Sequence, residues 1–474
     1  MTSTASPRAP STLQLVLFSS LCSVLAPLNS TMIAVALPSI RDDFALGRGT
    51  VSWLVSAYLI AMAVAQPVAG RLGDQLGRGR VVRAGLLAFT VTSVAAVAAP
   101  NFEVLIVLRV AQATFGAGLI PNAMALLRER AGAGELGRLN GYNGAAIAAA
   151  AGLGPLLGAA ALGLASWRII FLATVPVALG ALALMPGLRL SSSGSSGNAR
   201  PDWYGTLHYA VLLTVLTALL AQLRSVTGSL AHLAGWIVFA VLLGAFVWRQ
   251  RRARTPVAAW RLFRHASFAA ASIQILLTNL AMYTTLLMVP FLVSDVLDEP
   301  AGVSGLLLGL MALFMGLAAP VGGRVSDRHG RRPAAQLGGA IVVAASTLLV
   351  AVLHLGVTTP QLAGLLMVLG AGVGIGTGAA TTAAVESAPR AMAGEAAGTS
   401  SMMRYVGSIV GAGVLAATLN TRSGAHPNAS TFVSLQIVVA TMAAGALLAA
   451  SFLHRMPEEE LEGIVLAATA AGDD

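Results

Sequence analysis

Arg109 sits in the middle of an apolar run, residues 103–127, and is the side chain in this sequence best placed to do chemistry. A guanidinium at the centre of a membrane helix costs at least ~2.5–3.5 kcal/mol, so it must face the protein interior, where it either marks a substrate or ion path or is a structural cation satisfied by carbonyls. Gln112, one helical turn on, and Asn29, in an earlier run, are its candidate hydrogen-bond partners. Arg404, with Tyr405 beside it, is placed in the same way in a later run. Gln274, Asn279 and Tyr283 are spaced five and four apart, which puts them roughly on one face of a helix. There they could orient a substrate, or the amides could simply join helices.

The acids are notable for where they are missing, since none lies near the middle of an apolar run. Glu103, Glu386 and Glu395 fall at run ends, Asp295, Asp298 and Glu299 in a loop, and Asp42 and Asp43 just past the first run. Only Glu386 and Glu395 could serve as proton carriers, and only if drawn into a water-filled cavity. A cavity holding arginines without a central acid disfavours lipophilic cations and tolerates anionic or neutral amphiphiles. Enzyme chemistry is not expected, because the seven histidines are scattered and no nucleophile is paired with a base. The single Cys22 excludes an intrachain disulfide and a cysteine-rich metal site. The chain has no lysine, which excludes a Walker A phosphate loop. No cofactor or metal is expected.

These residues are carried on helices that cross a membrane. The chain is 56% hydrophobic and 10% charged, against roughly 25% charged in soluble domains. Runs long enough to span, about 20 residues each, fall at 13–37, 51–70, 81–99, 103–127, 139–163 and 166–186, then 204–223 and 230–248, then 267–293, 302–322, 335–354, 361–385, 394–419 and 432–453. The first run is too long for the apolar region of a signal peptide and reads as a retained helix. The expected organisation is an N-terminal six-helix bundle, 1–190, a linker carrying two extra helices, 191–265, a C-terminal six-helix bundle, 266–454, and an acidic tail, 455–474. With both termini in the cytoplasm, 22 of the 29 arginines fall in inside loops and tails and 5 in outside loops, as the positive-inside rule requires. The net charge of +10 is spread over those short loops, with no basic, aromatic-interleaved face for nucleic acid.

One polar hairpin occurs twice. Gly70-Arg71-Leu72-Gly73-Asp74-Gln75-Leu76-Gly77-Arg78 is matched by Gly323-Arg324-Val325-Ser326-Asp327-Arg328-His329-Gly330-Arg331, with Pro67 and Pro320 upstream in the same register. The repeat predicts two similar halves. Asp74 and the arginines around it, with Asp327 and Arg331 in the second copy, are expected to latch the halves together on the cytoplasmic side. Gly154-Pro155 breaks the backbone ladder of the fifth run, because proline lacks the N–H and clashes with the preceding turn. The glycines at 370, 372, 374, 376 and 378 read as a surface for close helix packing.

In this order the motifs resemble the major facilitator superfamily, and within it the fourteen-helix branch of drug/proton antiporters. The hairpin is similar to the signature between helices 2 and 3, Leu28 to Pro38 to the branch's first-helix pattern, and Ser166-Trp167-Arg168-Ile169-Ile170-Phe171-Leu172 to the start of its sixth helix. Arg109 with Gln112 and Gly116 resembles the fourth-helix motif, and Gly154-Pro155-x-x-Gly158 the fifth-helix motif of exporters.

The resemblance implies an all-α, major-facilitator-like fold of two six-helix bundles plus two extra helices, in a bacterial inner membrane. It also implies proton-driven export of small amphiphilic or drug-like molecules by alternating access, with multidrug efflux and antibiotic resistance as the setting. The expected partners are substrate, protons and lipid, and the chain is expected to be a monomer. One residue departs from the pattern: where the branch has an aspartate that carries the proton, this chain has Asn29, which cannot titrate. An amide there is either native or a substitution mimicking a protonated aspartate. It leaves open a transporter without carboxylate coupling, one that prefers anions, or a sensor or scaffold that has kept the fold.

Overall fold

The computed structural model describes residues 12–130, 136–164, 166–188, 202–222, 230–253, 256–257, 260–388, 392–419 and 429–453. The described chain is helical. The first half contains α1 (Thr12–Asp43), α2 (Arg48–Val51), α3 (Trp53–Leu76), α4 (Arg78–Val97), α5 (Phe102–Gly116), α6 (Leu119–Arg130), α7 (Leu136–Leu164), α8 (Ile169–Ala173) and α9 (Val175–Leu188). Between the halves lie α10 (Trp203–Ala221) and α11 (Leu230–Arg252). The second half is α12 (Ala266–Asp295), α13 (Ala301–His329), α14 (Arg331–Leu355), α15 (Thr359–Glu386), α16 (Ala393–Leu419) and α17 (Ala429–Ala450).

Twelve helices among the described residues are long and apolar enough to cross a membrane, against the fourteen expected. The difference falls on the fifth and sixth expected spans: within α7 (Leu136–Leu164) and the α8–α9 stretch, the apolar helices counted among the described residues are Gly152–Leu164 and Ile169–Met185. In the sixth, the chain turns at Thr174 between α8 and α9, just ahead of Pro176, whose missing N–H suits a helix start.

The two hairpins fold alike. Gly77 and Gly330 end α3 and α13 with φ of 95° and 91°, a backbone region closed to most side chains. In each, the aspartate accepts a 2.8 Å hydrogen bond from the arginine four residues on, Asp74 from Arg78 and Asp327 from Arg331. The same sequence therefore makes the same turn twice, and both turns lie at one end of the molecule, the hairpin end.

Close helix packing follows the small residues. On α7, a Cβ at Gly154 would overlap the Thr31 hydroxyl, and one at Gly158 would press on the Met32 carbonyl, so α7 lies directly on α1. From the other side, a Cβ at Gly305 of α13 would overlap Ala159, so the α7–α13 seam joins the two halves at backbone distance. The glycine run of α15 does what its composition predicts: Gly370 and Gly374 face the carbonyls of Met311 and Met315 on α13, while Gly372 and Gly376 face Gly338 of α14.

The helices between the halves differ from each other. α10 packs against both α3 and α16, with Leu220 on Gly413, so it spans the second seam between the halves. α11 lies outside it and is largely exposed to the surroundings, as expected of a lipid-facing helix. The pair is held by a two-pronged ion pair, Arg249 Nη1 and Nη2 each 2.6 Å from an oxygen of Asp202, and by His208 Nε2 at 2.9 Å from the Leu242 carbonyl. A chain of ring contacts, Tyr209, Phe246, Trp260, Phe263 and Phe268, ties it to the start of α12.

Candidate functional site

Arg109 is fully buried, and its surroundings come from four other elements. Its Nη1 donates to Asn29 Oδ1 on α1 at 2.6 Å and to Gln112 Oε1 at 2.7 Å. Gln112 in turn donates through Nε2 to Ser93 Oγ on α4 at 2.7 Å, and Ser93 donates to the Phe89 carbonyl. The guanidinium lies over the ring of Tyr58 on α3, 4.2 Å from its centroid, and 5.7 Å from that of Phe171 on α8. A desolvated cation–π contact contributes about 2 kcal/mol, which offsets some of the burial cost. The i, i+3 spacing on α5 is what brings Gln112 alongside Arg109.

This network contains no acid. Arg109 Nε and Nη2, and Asn29 Nδ2, are buried without hydrogen-bond partners. Among the described residues, every ion pair lies near a helix end. The charge on Arg109 is therefore spread over amide oxygens and ring faces alone, an arrangement that positions the guanidinium but cannot exchange a proton at residue 29.

Beside this network lies a cavity of about 200 Å³ between the halves, bounded by Ser30, Tyr58, Gln66, Tyr283, Arg404 and Tyr405 among others. The sequence-predicted residues divide here. Tyr283 and Arg404 line the cavity, with the Tyr283 hydroxyl 3.5 Å from Ser30 Oγ across the seam. Gln274 and Asn279 do not line it: Gln274 donates to the Ala335 carbonyl at 3.5 Å and Asn279 to the Ile275 carbonyl of its own helix at 2.8 Å. Gln274 thus joins two helices, the blander of its two sequence readings, while Asn279 bonds back to its own helix and does neither. Glu386 is likewise away from the cavity, bound to Arg331 at the hairpin end at 2.7 Å. Glu395 lies outside the described side chains.

In this conformation the ion pairs of the hairpins lie within their own halves. Asp74 pairs with Arg78, Arg78 reaches Glu129 on α6, and Arg331 holds Asp327 and Glu386. Asp74 and Asp327 remain 57% and 73% exposed, each paired across its glycine turn with the first residue of the next helix. Arg71 crosses further, donating from Nη2 to the Pro256 carbonyl of the linker at 3.0 Å. The ion pair joining the halves is at the opposite end, where Arg41 of α1 meets Asp295 of α12 at 3.4 Å. Nearby, Asp43 accepts from Trp167 Nε1 at 3.1 Å and from Arg168 at 2.8 Å, fixing the end of α1 to the entry of α8.

Sequence reasoning missed Ser93, Tyr58 and Phe171 as neighbours of Arg109, and Arg41 with Asp295. Ser93 and Tyr58 are polar-tipped residues inside apolar runs, a signal available in the sequence. Arg41 and Asp295 were visible only as loop charges.

Residues 19–412 match the description Major Facilitator Superfamily. The chain belongs to this superfamily. It is 30% identical over 413 residues to the tetracenomycin C resistance and export protein of Streptomyces glaucescens, covering 85% of this chain and 74% of that one. It is 28% identical over 397 residues to the multidrug efflux pump LfrA of Mycolicibacterium smegmatis, covering 83% and 78%. Its fold matches the crystal structure of a D-xylose-proton symporter at a TM-score of 0.67, with 15% identity, covering 94% of this chain and 98% of that one. As a member of the superfamily it is an integral membrane transporter of small molecules and not an enzyme.

Proposed function

We propose that this superfamily member exports small amphiphilic molecules by alternating access, with the two halves rocking about the cavity between them. The observation that carries the reading is that cavity, lined from both halves, with the Arg41–Asp295 pair joining the halves at one end and, among the described residues, no ion pair joining them at the other. The export direction draws support from relatives named for resistance and efflux. The arginine distribution supports placing the hairpin end in the cytoplasm of a bacterial cell, with Asp295 outside. We further propose that α7 and the α8–α9 pair also cross the membrane, which with the twelve longer helices gives fourteen spans and the fourteen-helix branch. In this reading the working unit is a monomer.

Proton antiport is the coupling that branch implies, and Asn29 favours a second reading. With an amide rather than an acid against Arg109, the cycle has no proton site at residue 29, and substrate moves down its own gradient. Proteoliposomes with a pH indicator inside test both. Substrate flux that an imposed proton gradient accelerates, with matching proton movement, supports antiport. Flux indifferent to the gradient supports the second reading. No flux or counterflow of any small amphiphile would overturn transport itself.

A further inference from the structure

We infer that Arg404, together with the rings of Tyr58, Tyr283 and Tyr405, forms a subsite for the carboxylate of a small aromatic acid. The inference rests on the transporter reading above and names its substrate class. Arg404 is the one charged residue lining the cavity, and it lies on α16 of the second half, facing Ser30 and Tyr58 of the first. Among the described residues no carboxylate pairs with it, and its Nε is buried without a partner.

A second positive charge stands behind the cavity wall. Arg109 lies 4.2 Å from the centroid of the Tyr58 ring, and Tyr58 itself lines the cavity. The cavity thus holds one guanidinium and borders another, with no acid among its lining residues. A cation in an apolar enclosure needs a counter-charge to offset its lost hydration. A ligand carboxylate supplies it, and the planar fork of arginine accommodates both carboxylate oxygens at once. A cationic ligand would meet the field of two like charges, and a neutral one would leave Arg404 uncompensated.

The rest of the lining sets the remainder of the ligand. Tyr58, Tyr283 and Tyr405 offer ring surfaces, and Leu59, Met62 and Ile120 offer apolar contact. The Ser30 and Ser408 hydroxyls already donate to the carbonyls of Pro27 and Arg404, the Tyr58 hydroxyl lies 3.5 Å from the Ala26 carbonyl and that of Tyr283 3.5 Å from Ser30 Oγ, so the Tyr405 hydroxyl is the better placed donor. At about 200 Å³ the cavity falls below the 300–1,000 Å³ usual for drug-sized ligands, which selects a compact, single-ring acid in this conformation.

The test uses three single-ring probes of similar size and different charge, benzoate, benzamide and benzylamine, titrated calorimetrically into the purified full-length protein. We expect benzoate to bind at least tenfold more tightly than benzamide, and benzylamine to show no saturable binding. Arg404→Gln should abolish the preference for benzoate, and Arg404→Lys should retain some of it. Equal binding of benzoate and benzamide, a preference that survives Arg404→Gln, or benzylamine binding most tightly would each overturn the assignment. Should Arg404→Gln fail to fold, the ranking of the probes on the unmodified protein decides by itself. Counterflow in proteoliposomes separates this from the transporter reading. Equal counterflow of all three probes keeps transport and sinks the aromatic-acid subsite. Ranked binding without counterflow keeps the subsite and sinks transport.

Discussion

Arg41 on α1 and Asp295 on α12 stand 3.4 Å apart, and theirs is the ion pair that joins the two halves. Its side chains are 15% and 5% exposed, so it is shielded from solvent far better than the hairpin pairs. Breaking it removes a contact made only while that end is closed. Asp295→Asn or Arg41→Ala should therefore shift the population toward the state open at that end. Spin-label distances across the α1–α12 and α3–α16 ends, in a Cys22→Ser background, measure this. Unchanged distance distributions would reduce the pair to a surface contact.

Arg109→Ala should reduce transport to background while leaving a folded, membrane-inserted protein. The substitution leaves Gln112 and Asn29 without their shared donor and removes the partner of the Tyr58 ring, at a stability cost of about 2–4 kcal/mol. Arg109→Lys should restore stability better than flux, because an ammonium cannot reach two acceptors and stack on a ring in one geometry. Wild-type flux in Arg109→Ala would make the residue a packing element only.

Asn29→Asp places a carboxylate where Oδ1 already accepts a 2.6 Å hydrogen bond from Arg109. Burial favours the neutral acid and the guanidinium favours the carboxylate, so the new group titrates according to which state of the transporter hydrates it. The expected outcome is a gain of proton-driven efflux, read as flux that now follows an imposed pH gradient. The same pH dependence in both proteins would place any proton path elsewhere.

Asp202, ahead of the α10 span, is held below the usual carboxylate range chiefly by its hydrogen bonds from Arg249, with burial pulling the other way. A carboxylate depressed in the folded state contributes stability that is complete above its ordinary value, about 3.9, and is lost as pH falls through the depressed one. Asp202→Asn should thus cost about 1 kcal/mol near neutral pH, and the gap from wild type should close under acid. Melting temperatures of the two proteins from pH 7 down to about 3 provide the check. A gap that stays constant with pH would show that the ion pair adds nothing.

The regions of the molecule legible in sequence are those fixed by local spacing or repetition. The i, i+3 relation of Arg109 and Gln112, the doubled hairpin with its glycine turns, and the glycine run of α15 all depend on one helix or one turn. What escaped depends on how helices rotate against one another. Tyr58 and Ser93 reach Arg109 because of the facing of α3 and α4, and Asn279 turns back onto its own helix rather than into the cavity. The hairpin aspartates likewise find a partner close by in this conformation: i, i+4 spacing offers each an arginine across its own turn. The expected span count was read from hydropathy alone, and twelve of its fourteen runs appear as long apolar helices among the described residues, the other two as shorter ones.

The placement of α10 has a consequence for how a solute dissolved in the bilayer could reach the cavity. The two halves meet along two flanks, and a membrane-borne molecule approaching sideways must open one flank or the other. On the α3–α16 flank it meets α10, bound to both helices, roped to α11 by Asp202 and Arg249, and fastened to α12 through the run of rings. On the α7–α13 flank it meets two helices packed closely through Gly305 and Ala159, with an apolar recess of about 390 Å³ beside them along Leu153, Leu156, Leu313 and Leu317. The molecule is thus sided in the plane of the membrane: one flank is closed by a third helix laid across it, the other by small residues that bring two helices to backbone distance.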